Sequence, residues 1–114
     1  YVSNCFLATK VLFANVIHEY SEAFDASYSK IKAALIADQR IKDDHLKVTK
    51  ERGFGGKCFP KDLVSLIGAA KEKDLDTKFF EEVWRKNLEI RHLHDWEEIP
   101  GASHENTDWA TDTE

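Results

Sequence analysis

A glycine-rich stretch that leads into a cysteine contains the residue types best suited to chemistry. This glycine–cysteine stretch reads Arg52-Gly53-Phe54-Gly55-Gly56-Lys57-Cys58-Phe59-Pro60-Lys61-Asp62. Proline favours the first turn of a helix, so Pro60 places Cys58 at a helix start. There the positive end of the helix dipole and the two neighbouring lysines favour the thiolate form of the cysteine. A thiolate is a nucleophile, and backbone N–H groups of the glycine–cysteine stretch could stabilise a developing oxyanion.

Asp62 lies four residues after Cys58, one turn further along the predicted helix. At that spacing its carboxylate could orient or deprotonate a water molecule beside the sulfur. A competing interpretation stays open, because a cysteine next to a glycine-rich turn is more often a small buried residue than a nucleophile. A Walker A phosphate loop is excluded, since Glu51 and Cys58 stand where that motif needs a glycine and a hydroxyl.

Four helices are expected to position this stretch. The first 24 residues lack glycine and proline and predict one long helix. Further helices are predicted from Ser27 to about Asp38, from the Cys58 region with Pro60 in the first turn to about Lys73, and from Asp76 to about His94, with Ser27 and Asp76 as N-caps. No repeat and no convincing strand is found. The predicted fold class is therefore all-α, a small bundle of about four helices with one long N-terminal helix.

Apolar side chains cover more than one face of the long helix and one face of the fourth. On the long helix the two apolar sets together form a stripe wider than the core of one small domain needs. We therefore predict a homodimer through this helix. The first set is Val2, Phe6, Phe13, Ile17, Tyr20 and Phe24, the second is Leu7, Val11, Leu12 and Val16, and the fourth helix is predicted to bury Phe79, Phe80, Val83, Trp84, Leu88 and Ile90.

Length and composition exclude several classes of protein. The 114 residues suffice for one domain, and a net charge of −5 with scattered acidic residues leaves no basic face for nucleic acid. No membrane span or signal peptide is predicted, and Cys5 and Cys58 are expected to be free thiols in the cytoplasm. The lack of methionine and the start at Tyr1 suggest a chain excised from a longer one. We predict a folded domain over residues 1–95 and a disordered acidic tail over residues 96–114.

The glycine–cysteine stretch resembles the active-site signature of the UDP-glucose/GDP-mannose dehydrogenase family, G-[FY]-[AG]-G-x-C-[FL]-P-K-D. The match runs over ten consecutive positions, from Gly53 to Asp62. Asn4-Cys5-Phe6-Leu7-Ala8 is similar to the family's helix opening K-x-x-x-N-x-[FL]-L-A, whose lysine would fall immediately before Tyr1. Asp38-Gln39-Arg40-Ile41 resembles the family's D-x-R-I-G, with Lys42 in place of the glycine.

The resemblance extends from Tyr1 to about Arg91 and implies the central helical domain of such an enzyme, with a fold like the C-terminal domain of 6-phosphogluconate dehydrogenase. In this family the domain links an NAD-binding domain to a nucleotide-sugar domain and forms the homodimer. Enzymes of this family oxidise the C6 alcohol of a nucleotide sugar to a carboxylate with two NAD. Within the family, the glycine–cysteine stretch looks closest to that of the UDP-glucose dehydrogenases. NAD would be bound by a domain absent from this chain, so the isolated chain is expected to be inactive.

The resemblance also implies a role for each matched residue. Cys58 would add to the C6 aldehyde as a thiohemiacetal, which is oxidised to a thioester and then hydrolysed. Asp62 would position or activate the hydrolytic water, and Asn4 would donate a hydrogen bond to the reacting C6 oxygen. The substrate-binding residues would be Phe54, Gly55 and Gly56, which wrap the sugar, and Arg40, which reaches the sugar nucleotide of the neighbouring subunit.

Two other functions stay open on the sequence alone. The chain could be an autonomous helical dimerisation module in which the glycine–cysteine stretch is a relic. A small cysteine hydrolase would need a histidine base beside Cys58, and the sequence places none of its five histidines there. No cofactor-binding site is predicted, because no G-x-G-x-x-G follows a strand. No metal site is predicted either, because His92 and His94 would point apart on a helix.

Overall fold

The structure of the chain is a computed structural model, and it describes residues 1–98. All regular elements in that range are helical, which confirms the predicted all-α bundle with one long N-terminal helix. None of these helices is long and apolar enough to cross a membrane. The elements are α1 (Val2–Ala23), α2 (Tyr28–Ile36), α3 (Cys58–Glu72), α4 (Lys78–Ile90) and a short 3₁₀ helix (Asp95–Glu98).

The core lies where α1, α3 and α4 meet, and α2 packs on α1 at the edge of the bundle. The inward side of α1 carries small side chains, among them Cys5 and Ala8, which are at most 1% exposed. Facing them, α3 buries Leu63 and Ile67, and α4 buries Trp84. Small side chains allow a close approach of two helices, so the first turns of α1 lie against the start of α3.

The two apolar sets of α1 lie in different environments. The core side of the helix carries Leu12 and smaller side chains, whereas the aromatic rings of the other set point to solvent. Phe6, Phe13 and Tyr20 are 65%, 54% and 56% exposed. Phe79 of α4 is 65% exposed, so the prediction that it is buried is wrong. Phe13, Tyr20 and Phe79 line an open groove between α1 and α4.

The helix boundaries agree with the sequence prediction to within two residues, except at the end of α4. Ser27 caps α2 as predicted, because its side chain accepts a backbone N–H of the first turn. α4 ends at Ile90 rather than near His94, so that part of the prediction is wrong. The cause is that Arg91 is extended, with a ψ of 125°, and that the next backbone N–H donates to Glu51 O at 2.9 Å instead of to the helix.

Trp96, which was predicted to lie in the tail, belongs to the core. It is 3% exposed, and its ring lies 5.3 Å from that of Trp84 and stacks on that of His94 at 4.8 Å. The folded part therefore extends past the predicted boundary at residue 95, because a large aromatic ring buries apolar area that the helices leave open. Residues 99–114, the rest of the predicted tail, lie outside the described residues, and their disorder stays a prediction.

Candidate active site

The predicted nucleophile lies at the start of a helix. Cys58 is the first residue of α3, and it is an exposed free thiol. Pro60 is fully buried in the first turn, where its missing N–H leaves no helical hydrogen bond unmade. Cys5, the other cysteine of the chain, is also free, but it is buried. Of the two sulfur atoms, that of Cys58 is therefore the one open to a ligand.

The other two predicted catalytic residues are in direct contact. Asn4 Nδ2 donates a hydrogen bond to Asp62 Oδ2 at 2.7 Å, which joins the start of α1 to α3. Asp62 is 7% exposed and lies one helical turn after Cys58, on the same side of α3. The amide satisfies one acceptor site of the buried carboxylate and leaves others for a water or a substrate hydroxyl. The structure thus brings Asn4, Cys58 and Asp62 together at one end of the bundle.

The buried Cys5 also faces this end of α3. Its Sγ donates to Asp62 O at 3.5 Å. Burial, and to a lesser degree the negative charge of Asp62, raise the pKa of Cys5 above its usual value. Cys5 therefore stays protonated at neutral pH and behaves as a small apolar core residue.

Two buried asparagines hold the segment that precedes Cys58. This segment, residues 51–57, is named the glycine loop. On the α1 side, the Gly53 N–H donates to Asn15 Oδ1 at 3.0 Å. On the α4 side, Asn87 Oδ1 accepts the Phe54 N–H at 2.8 Å, and Asn87 Nδ2 donates to Phe54 O at 3.0 Å. The side chain of Asn87 is 0% exposed and that of Asn15 is 2% exposed. The hydrogen bonds from these two side chains to the loop, called the two clamps, are therefore shielded from water.

The chain that follows α4 holds both ends of the glycine loop. Arg91 Nη1 donates to Arg52 O at 2.9 Å, and the Gly56 N–H donates to Asp95 Oδ1 at 3.0 Å. Arg91 and Asp95 also form an ion pair, with Nη2 and Oδ2 3.5 Å apart. The loop therefore rests on three parts of the chain: α1, α4 and residues 91–95.

The ring of Phe54, which the family resemblance implies is beside the sugar, lies in the core. It is 4% exposed, and its centroid is 6.2 Å from the rings of both Phe59 and Trp84. Aromatic pairs at that separation are favourable contacts, so the ring anchors the glycine loop to the core. Phe54 is thus a core residue of the loop, and its contact with a sugar stays a prediction.

The two following glycines, both predicted to wrap a sugar, have different surroundings. A Cβ on Gly55 would lie 2.3 Å from side-chain atoms of both Arg91 and Asp95, so packing within the chain already explains this glycine. A Cβ on Gly56 would meet no atom within 4 Å. The φ of Gly56 is 79°, which favours glycine, and the space beside it is open to a ligand.

Arg40 lies in the exposed segment between α2 and the glycine loop. Its side chain is 88% exposed and donates two hydrogen bonds to the carboxylate of Asp38, at 3.0 and 2.7 Å. These bonds hold the pKa of Asp38 below its usual value. Within the described part of one chain, no hydrogen bond or ion pair joins Arg40 to Asn4, Cys58 or Asp62. A single chain therefore does not bring Arg40 into the site.

Comparison with known proteins identifies the family. The model of the UDP-glucose/GDP-mannose dehydrogenase family, central domain, matches residues 1–89, which include Asn4, Cys58 and Asp62. The chain belongs to the UDP-glucose/GDP-mannose dehydrogenase family. The resemblance of the glycine–cysteine stretch to that family is thereby confirmed.

Three relatives in this family are each much longer than the part that this chain matches. UDP-glucose 6-dehydrogenase of Rickettsia prowazekii (strain Madrid E) is 37% identical over 87 residues, which are 76% of this chain and 20% of the relative. UDP-glucose 6-dehydrogenase TuaD of Bacillus subtilis (strain 168) is 40% identical over 96 residues, 83% of this chain and 20% of the relative. Putative UDP-glucose 6-dehydrogenase YtcA of the same strain is 42% identical over 77 residues, 68% of this chain and 18% of the relative. The chain thus spans about a fifth of the length of the curated relatives it matches. No solved structure gives a significant match.

Sequence reasoning missed the residues that hold the glycine loop in this family member. Asn15 and Asn87 are polar residues that lie next to buried apolar residues on the inward sides of α1 and α4. An asparagine in such a position indicates a buried hydrogen-bond partner, and this signal was available in the sequence. Arg91 and Asp95 gave no comparable signal, because the chain leaves the helix there and side-chain periodicity ends.

Proposed function

We propose that the chain is the central, catalytic-cysteine domain of an NAD-dependent nucleotide-sugar 6-dehydrogenase that oxidises UDP-glucose to UDP-glucuronate. The observation that carries the proposal is the 2.7 Å hydrogen bond between Asn4 and Asp62, one helical turn from the exposed Cys58. The names of the relatives support UDP-glucose as the substrate. Because the chain spans about a fifth of their length, the activity is that of a longer enzyme, and the isolated chain is expected to be inactive.

Cys58 forms and breaks the covalent bond to the substrate. Its thiolate adds to the C6 aldehyde, and the oxygen takes up a proton to give a thiohemiacetal. Once that carbon has been oxidised to a thioester, water attacks the carbonyl, the C–S bond breaks, and the carboxylate and the thiolate are released. The position of Cys58 suits this role, since the substrate can reach its sulfur and the free N–H groups of the first helical turn face the developing negative charge.

Asp62 and Asn4 position the oxygen atoms of the reaction. Asp62 uses Oδ2 to accept the hydrogen bond from Asn4, which leaves Oδ1 to orient the water that attacks the thioester. The amide of Asn4 carries two N–H bonds, and only one of them is needed for Asp62. The second is available to the reacting C6 oxygen, so both roles are compatible with the same side-chain geometry.

The sugar is proposed to lie beside Gly56, where the loop is open. The hydride acceptor is proposed to be held by another domain of the longer enzyme. This assignment is supported by the lack of a strand in residues 1–98 and of a G-x-G-x-x-G motif in the sequence, because a dinucleotide-binding domain uses both. The steps assigned to this chain are accordingly the formation of the C–S bond and its hydrolysis.

A homodimer through α1 is part of the proposal. Phe6, Phe13 and Tyr20 follow one another at intervals of seven residues and expose their rings along the helix. A seven-residue repeat of large apolar side chains is typical of a helix that packs against another helix. A second copy would bury these rings and could bring Arg40 of one subunit to the sugar nucleotide of the other. The longer enzyme is proposed to act in the cytoplasm, where nucleotide sugars and NAD are available.

The test uses the longer enzyme that contains this chain. Cys58→Ala should lower the rate of NADH formation from UDP-glucose by at least about a thousandfold, because the nucleophile is removed. Asp62→Asn should slow thioester hydrolysis enough for a substrate adduct on Cys58 to be detected by intact-protein mass spectrometry. Cys5→Ser is the matched control, since it alters the buried thiol and keeps the exposed one. Wild-type turnover by Cys58→Ala would contradict the proposal.

The exposed aromatic face of α1 favours a second candidate, an autonomous helical dimerisation module with a relic glycine–cysteine stretch. This candidate predicts that truncation of Phe13 and Tyr20 abolishes function and that Cys58→Ala does not. The same set of variants therefore separates the two functions.

A further inference from the structure

Asn15 and Asn87 are buried polar side chains for which the proposed reaction has no use. They hold two consecutive residues of the glycine loop, Gly53 and Phe54, from opposite sides. We infer that Asn15 and Asn87 are positioning residues, which fix the glycine loop in the conformation that sets Gly56 and Cys58 around the substrate. The inference rests on the function proposed above.

The amide oxygen and the amide nitrogen of both asparagines each bond to a backbone atom. Asn87 accepts a hydrogen bond from the Phe54 N–H at 2.8 Å and donates one to Phe54 O at 3.0 Å. Its side chain is 0% exposed. Asn15 accepts from Gly53 at 3.0 Å and donates to Val11 O at 2.8 Å. Asparagine is a poor helix former, and a buried amide without partners is costly. The loop contacts are therefore the physical reason for an asparagine at these two core positions.

The backbone of the glycine loop needs such external support. Arg52 and Gly53 both have positive φ angles, 60° and 55°. For Arg52 this left-handed conformation is unfavourable, so contacts from the surrounding structure must hold it. A Cβ on Gly53 would lie 2.1 Å from Asn87 Oδ1. The asparagine thus approaches so closely that the loop must carry glycine at this position.

The residues that Asn15 and Asn87 hold lie close in sequence to Gly56 and Cys58. Phe54 precedes Gly56 by two residues and Cys58 by four, so a shift of its peptide groups is passed on to both. A displacement of about 1 Å at a reacting group can lower the rate about a hundredfold. Loss of either clamp should therefore reduce turnover by more than the loss of folded protein explains.

The test compares variants of the longer enzyme at saturating UDP-glucose and NAD. Asn87→Asp keeps the shape of the side chain and replaces the donor that faces Phe54 O by an oxygen atom. At pH 8 its kcat per folded molecule should fall about a hundredfold. At lower pH, where the introduced carboxyl can be protonated and donate again, the ratio of its kcat to that of the wild type should recover.

The matched control is Thr77→Val, which also removes a hydrogen bond of a buried polar side chain associated with α4. Thr77 lies at the N-terminal end of that helix, bonds to Glu81 and is 7% exposed. Its loss should lower the melting temperature and leave kcat per folded molecule unchanged. Thr77 is ten residues from Asn87, so the control changes the stability of α4 without changing the clamp.

A second variant covers the case in which Asn87→Asp does not fold. Asn15→Ala removes the acceptor of the Gly53 N–H and installs the best helix former, so the chain should fold. Its kcat per folded molecule should fall about tenfold, which corresponds to one lost hydrogen bond. The inference is overturned if both asparagine variants match Thr77→Val while Cys58→Ala is inactive. If Cys58→Ala is active as well, it is the proposed function that fails.

Discussion

The two faces of α1 both look apolar in the sequence, yet they meet different surroundings. The inner face carries small side chains such as Cys5 and Ala8, against which α3 packs. The outer face carries the rings of Phe6, Phe13 and Tyr20, which are more than half exposed. The bulkier, aromatic side chains therefore lie outside. In this helix, the need for a close approach decides which face is buried, and hydrophobicity alone does not.

The two asparagines of α1 also belong to one of these faces. Asn4 and Asn15 lie on the inner side, where they bond to Asp62 and to Gly53. A large side chain at Ala8 or Cys5 would push α1 away from α3 and lengthen both bonds. The small inner face is thus what allows a helix to contribute groups to the site, while the aromatic outer face is free to contact a second copy.

The largest expected effect comes from truncating neighbouring residues on the two faces. Leu12→Ala should lower the free energy of unfolding by about 2–5 kcal/mol, because it leaves a cavity in the core. Phe13→Ala removes a larger side chain, yet it should change the stability of the single chain by no more than about 0.5 kcal/mol, since Phe13 is 54% exposed. Urea denaturation of the purified chain measures both.

Protein concentration distinguishes folding from association in this pair. The loss caused by Leu12→Ala should be the same at all concentrations, because it arises within one chain. Any loss caused by Phe13→Ala should shrink on dilution, because a dimer stabilises the folded state by mass action. Equal losses for both variants in dilute protein would show that the outer face is part of the monomer core.

The next prediction concerns the outer face itself. Phe13→Glu should weaken dimerisation at least about a hundredfold, since it places an unpaired charge in an apolar contact and 2–3 kcal/mol corresponds to about that factor. Sedimentation equilibrium over a range of concentrations measures the change. Phe24→Glu is the control, because Phe24 is 80% exposed and lies beyond the last residue of α1. A dimer that survives Phe13→Glu and dissociates with Phe24→Glu would place the contact elsewhere.

A smaller effect is expected where the inner face meets the glycine loop. Gly53→Ala should destabilise the chain by about 2 kcal/mol, because the new Cβ is strained at a φ of 55° and collides with Asn87. Gly56→Ala should cost about 1 kcal/mol, because its Cβ meets only the backbone strain at a φ of 79°. The difference between their unfolding free energies isolates the contact with Asn87. Equal costs would mean that Asn87 moves aside without loss.

Periodicity was enough to predict the four helices, because it depends on local spacing, and the motif named Asn4, Cys58 and Asp62 as site residues, whose catalytic roles stay predictions. The sequence placed Cys58 at a helix start and Asp62 one turn later, and the structure adds the bond from Asn4. Periodicity could not decide which apolar set of α1 is buried, since both sets repeat at helical intervals. Trp96 escaped prediction for a related reason: its burial depends on a gap between helices that no local pattern encodes.

The smallest change in stability is expected for a substitution at the C-terminal end of α1, which belongs to neither face. Asp25 has a φ of 60°, the Asp25 N–H donates to Glu22 O at 3.3 Å, and the next N–H donates to Ser21 O at 2.7 Å. This pattern is typical of a helix end at which glycine is preferred. Asp25→Gly removes the Cβ strain but adds freedom to the unfolded chain, so the net gain should be about 0.5 kcal/mol.

Two further variants separate the causes of that gain. Asp25→Asn removes a negative charge from the negative end of the helix dipole and keeps the Cβ, so its gain measures the electrostatic part alone. Asp74 ends α3 with the same hydrogen-bond pattern and a φ of 58°, so Asp74→Gly should repeat the result in a helix without an aromatic outer face. If Asp74→Gly stabilises and Asp25→Gly does not, then the end of α1 is constrained by its contacts rather than by backbone strain. The boundary between the two faces would in that case reach to the last turn of the helix.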